Sequence, residues 1–170
     1  MKKLFILVLT CLFLTACGGN ESVSKEKNNL TIDEYEKRVE QALKEAGDKT
    51  NFEILSSKEM EENVHAIALS DKAAIFLETN EDGNIAKATV SVDPSVQSTN
   101  NEDFNFAFEL LIGTADDKLT LGDRTKLRQD LGLYDDKTFS EKTVNVKKHN
   151  DMTFTFKSNP SEIYILDAEF

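Results

Sequence analysis

The sequence predicts an α+β fold: an antiparallel sheet of about six to seven strands with three helices packed mainly on one face, in the order α-ββββ-αα-βββ. Three observations predict it. Apolar residues recur at helical spacing just after position 30, short alternating or β-branched segments bounded by polar turns follow, and the same succession of periods returns after position 100 without a residue-level repeat.

The first helix is marked by Thr31 and Glu34 at capping-box spacing, by Ile32, Tyr35, Val39, Ala42, Leu43 and Ala46 along one stripe, and by Gly47 as a stop. Segments 52–56, 64–70, 73–79 and 85–92 then read as four strands of a meander. Asp82-Gly83 suits a tight hairpin between the last two, and Asp93-Pro94 ends the sheet. Asn101 or a neighbour caps a second helix, whose stripe of Phe104, Ala107, Phe108 and Leu111 is widened by Leu110 and Ile112. It is expected to be the most buried helix and to end at Gly113. A third helix opens at Thr120 and closes at Gly132. Segments 142–148 and 152–157, joined through Asn150-Asp151, and 162–169 are the last strands. Val144 alternates with Val146, Met152 with Phe154 and Phe156, and Ile163 with Ile165.

The chain carries 20 basic and 31 acidic residues, a net charge of −11, which argues against general nucleic-acid binding. Seventeen of the basic residues are lysine and asparagine is abundant, a composition that suggests an AT-rich, Gram-positive source.

At the N-terminus, Lys2 and Lys3 precede eleven apolar or small residues, 4–14, followed by Thr15 and Ala16. This is the pattern of a secretory signal, too short for a permanent span, which needs about 20 apolar residues. The run Leu14-Thr15-Ala16-Cys17-Gly18 closely resembles the lipobox of bacterial lipoproteins. The resemblance implies diacylglycerol on the Cys17 thiol, cleavage between Ala16 and Cys17 by the lipoprotein signal peptidase, and a lipid anchor on the extracytoplasmic face of the cell membrane. Two acyl chains anchor stably where one does not. No other cofactor is expected.

Cleavage would leave 170 − 16 = 154 residues with a charge of 18 − 31 = −13. Residues 17–29 read as the lipidated cysteine and a polar tether that can reach about 40 Å, and 30–170 as a single domain. Cys11 leaves with the signal and Cys17 is consumed by lipid, so the domain must rely on packing and not on a disulfide.

Candidate chemistry is sparse. His65 sits in a strand and His149 at a hairpin, neither within a motif such as G-x-S-x-G, and carboxylates are too common to single out a pair. Glu78, Asn80 and Asp82 before Gly83 resemble the front half of an EF-hand calcium loop. Thr89 stands where that loop needs a bidentate glutamate, and the hairpin explains the same residues.

Arg124 and Arg128 are two of only three arginines, one turn apart in an acidic chain. Arg124 falls near the stripe of Leu127 and Leu131, from which it can grip a carboxylate or phosphate. The competing expectation is a side chain lying on apolar surface and paired with Asp123 or Asp130. Phe104 and Phe108 share the core face of their helix, and Phe106 points elsewhere.

These observations favour a membrane-anchored binding or interaction module of the cell envelope over an enzyme. Its partner would be an envelope protein, a glycan or a small molecule. A small enzyme or calcium-dependent protein is one alternative, and a precursor of a leader-derived peptide pheromone is another.

Overall fold

A computed structural model describes residues 29–170; the predicted signal, Ala16, Cys17 and all but the last residue of the tether lie outside the described residues. The element order is α1 (Ile32–Ala46), a 3-10 turn (Gly47–Lys49), β1 (Ser56–Glu61), β2 (Val64–Ala68), β3 (Ala73–Thr79), β4 (Ile85–Val92), α2 (Pro94–Thr99), α3 (Asn101–Ala115), α4 (Leu121–Asp130), α5 (Asp136–Ser140), β5 (Thr143–His149), β6 (Met152–Asn159) and β7 (Ile163–Glu169). The seven strands form one antiparallel sheet in the order β1-β2-β3-β4-β7-β6-β5, so the last strands of the two meanders, β4 and β7, meet at its centre.

Register explains which residues are buried. One row crossing the sheet runs Ser57, Ile67, Ile75, Val90, Leu166, Phe156, Asn145, apolar at the five inner strands and polar at the two edges. This face meets the helices, α3 above all, which packs on β4 and β7. Phe104 and Phe108 join Phe139, Phe156 and Tyr164 in a buried cluster of mostly edge-to-face rings with centroids 5.0–6.2 Å apart.

The predicted caps are present. Thr31 and Glu34 form the capping box of α1, Thr120 and Asp123 that of α4, and Gly47 and Gly132 follow these helices at φ 53° and 76°. Asn100, not Asn101, caps α3.

Three expectations need correction. The first strand is Ser56–Glu61 and not 52–56: Glu53 and Leu55 do donate to Leu69 and Ala68, but the ladder proper is the exposed edge Ser-Ser-Lys-Glu-Met-Glu, which has no apolar face to reveal it. Gly113 does not end the second predicted helix, because α3 continues to Ala115. The short helices α2 and α5 add two to the three expected. The alternation expected of Val144 and Val146 is present: both face away from the helices, 63% and 56% exposed, while Asn145 turns inward and donates to the Leu131 carbonyl at 2.9 Å.

Candidate functional site

The helical layer carries a groove of about 1230 Å³ that runs along α3 between α1 and α4. Its floor is the outward stripe of α3, where Phe106, Glu109, Leu110 and Gly113 follow one another at spacings of three, one and three residues. Because the opposite stripe of the same helix, with Phe104 and Phe108, is locked in the aromatic cluster, the floor is held rigidly against the sheet.

All three arginines of the chain line this groove. Arg38 of α1 donates from Nη1 to the Thr114 carbonyl at 3.0 Å and pairs through Nη2 with Asp117 at 3.1 Å. It thereby satisfies a backbone oxygen at the end of α3, where helical carbonyls lack intrahelical partners. Arg128 pairs with Glu109 of α3 and lies over the Tyr134 ring, 4.4 Å from its centroid. Arg124 donates from Nε to the Leu119 carbonyl at 3.1 Å.

The predicted pairing of Arg124 with Asp123 or Asp130 does not occur. Asp123 is taken by Thr120 and Asp130 by Lys126. The Thr120 hydroxyl and backbone bonds hold the Asp123 carboxyl below its ordinary range. Arg124 instead crosses to α3, where its guanidinium approaches Gly113 with Nη1 foremost: a Cβ there would sit 3.0 Å from Nη1 and 3.5 Å from the guanidinium carbon.

Two exposed apolar side chains complete the groove, Leu121 at 82% and Tyr134 at 52% exposure. Of this constellation, Arg124 and Arg128 were expected together from the sequence and do share the groove. Arg38, Glu109, Gly113, Leu121 and Tyr134 were not expected, and the one signal that points to Arg38 is the rarity of arginine itself.

The other predicted positions lie elsewhere. Glu78 pairs across the sheet with Lys87 at 2.8 Å, and the Asn80 side-chain oxygen accepts from the backbone N–H groups of Asp82 and Asn84 at 3.0 Å each. These bonds build the hairpin, with Gly83 at φ 78°. Among the described residues, no group of three or more His, Cys, Asp or Glu is placed to hold a metal ion. His149 ends β5.

His65 of β2 meets Ser57 of β1 and Glu36 of α1: Ser57 Oγ lies 2.6 Å and Glu36 Oε1 3.1 Å from its Nε2, and Ser57 also bonds Glu36. A hydrolytic triad needs the serine and the carboxylate on opposite ring nitrogens. Here both meet the same one, so this cluster ties the β1–β2 hairpin to α1.

No protein-family model matches the chain, and neither a curated protein nor a solved structure shows significant similarity to it. The groove's own chemistry is therefore the guide to function.

Proposed function

We propose that the protein is a lipoprotein cleaved before Cys17 and held by lipid on that cysteine at the extracytoplasmic face of the cell membrane, where its domain acts as a binding module. The ligand site is the groove between α1, α3 and α4. The observation that carries this reading is the convergence of the chain's three arginines, drawn from helices far apart in sequence, beside exposed Leu121 and Tyr134. Exposed apolar side chains flanked by charged groups are the surface chemistry of recognition.

Two measurements test it. Labelled palmitate should enter the wild-type chain and not Cys17→Ser, which should leave the membrane fraction; unlabelled wild type overturns the anchor. Wild-type protein immobilised against envelope extract should retain a partner that Leu121→Ser releases. Leu121 is too exposed for this change to unfold the domain, so equal retention by both overturns the groove as the site.

A further inference from the structure

We infer that the groove's ligand is a monocarboxylate on an apolar body, and that Arg124 is the residue that grips the carboxylate. This rests on the reading that the groove is the binding face.

Among the described residues, each of the other two arginines already has its own carboxylate, Asp117 for Arg38 and Glu109 for Arg128. Arg124 has none. Its Nε is occupied by the Leu119 carbonyl, which fixes the plane of the guanidinium and leaves the Nη1–Nη2 edge as the available fork. Two parallel N–H donors on that edge match the two oxygens of a planar carboxylate, which a lysine ammonium would not do.

Gly113 supplies a second, independent observation. Glycine inside a helix is destabilising relative to alanine, and Gly113 is not among the residues with positive φ, so its backbone makes no demand for glycine. What the missing Cβ permits is the close approach of Arg124 Nη1. The helix gives up stability at the one position where the guanidinium is laid down.

Charge and shape set the ligand class. The groove lining has four cationic side chains, Arg124 among them, and four carboxylates, so a monocarboxylate takes its net charge only to −1 and a dianion to −2. One negative charge is matched by that arginine; a phosphate dianion would meet the acidic side chains uncompensated. Leu121 lies three residues before Arg124 on the same helix, with Tyr134 and Phe106 also lining the groove, so apolar surface adjoins the charged fork. A peptide C-terminus and a free aryl-alkyl acid share this chemistry.

The test is calorimetric titration of the full chain with acetyl-Leu-Phe bearing a free carboxylate, its C-terminal amide, 4-phenylbutyrate and phenyl phosphate. At least one of the two carboxylates should bind saturably, and the tighter of them identifies the source. The amide and the phosphate should bind at least tenfold more weakly. Arg124→Ala and Arg124→Lys should each lose at least tenfold. Gly113→Ala should weaken binding several-fold while the thermal midpoint stays level or rises, a combination that damage to the fold cannot produce. No binding of either acid, equal binding of acid and amide, or wild-type affinity in Arg124→Ala overturns the inference. If the acids fail while Leu121→Ser still releases the partner captured from envelope extract, the carboxylate assignment falls and the groove reading stands. If Leu121→Ser releases nothing, the groove reading falls with it.

Discussion

Asp103 offers the sharpest test of how the helical layer is assembled. It is a buried carboxylate in the first turn of α3, and four donors converge on it: Thr50 Oγ1 at 2.7 Å and the Asn51 backbone N–H at 2.8 Å on one oxygen, Asn51 Nδ2 at 3.1 Å and Asn100 Nδ2 at 2.6 Å on the other. It thus ties the chain leaving α1 to the cap of α3. Asp103→Ala strands these donors. An unsatisfied buried donor costs about 1–3 kcal/mol, and Asn51 is exposed enough for water to replace some of the bonds. We expect a loss of about 3 kcal/mol, which for a domain of this size lowers the thermal midpoint by about 6–12 °C. Asp103→Asn keeps one acceptor oxygen. Asn51 can turn its amide to meet the new NH2, but Asn100 cannot, because its Oδ1 accepts from Glu102 and Asp103 in the cap. About half the loss is therefore expected. Urea unfolding of wild type and both variants measures it. A change under about 0.5 kcal/mol in Asp103→Ala, or an Asp103→Asn variant no better than alanine, would refute the reasoning.

The remaining predictions concern pH and one buried pair. Burial pushes the Tyr35 phenol well above its ordinary value of 10.0, so this contribution to stability is fully present below that pH and is lost as pH rises through the folded value. Alkaline difference spectra should show its ionisation coinciding with unfolding, and a separate earlier transition would count against its burial. The Tyr35 hydroxyl lies 2.9 Å from that of Thr114, so Thr114→Val should cost about 1–2 kcal/mol in chemical denaturation; a neutral result would mean that the pair is not made. At acid pH, backbone and side-chain bonds to Thr31 lower the Glu34 carboxyl, as the hydroxyl and backbone bonds of Thr120 lower that of Asp123. Their contribution is present above the ordinary values of 4.5 and 3.8 and is lost as pH falls through the lower folded ones, so a Thr31→Val, Thr120→Val chain should show a flatter acid limb in circular dichroism.

What could be read from the sequence was what local chemistry dictates. The capping boxes at Thr31 and Thr120, the Asp82-Gly83 hairpin and the alternation in β3, β4 and β6 are written in neighbouring residues, and the structure places them there. β1 was misplaced because an exposed edge strand needs no apolar face, and α2 and α5 are too short to show a period. The alternation of β5 gave the period but not the side, since Val144 and Val146 face solvent while polar Asn145 reaches the carbonyl of Leu131, which caps α4. Within the groove, Arg124 and Arg128 could be paired from their spacing. Arg38 meets α3 only through a contact 76 residues distant in sequence, and Gly113 looked like a helix stop because its reason lies on another helix.

The groove also gathers departures from what stability alone would select. A glycine stands inside α3 without a backbone need, and a leucine is 82% exposed at the start of α4. Among the described residues, the Arg128 Nε is the one buried side-chain polar atom without a hydrogen-bond partner. Each is individually unfavourable: the helix forfeits the propensity of alanine, an apolar side chain meets water, and a buried N–H goes unpaired. Scattered over the molecule they would be unremarked surface variation. Local rules tend to be broken together where a surface is shaped for a ligand. These three fall along one groove, whose floor is the outward side of the helix most firmly fixed to the sheet. A recognition surface has to hold its donors in place before the ligand arrives, and that helix is the part of the scaffold best able to do so.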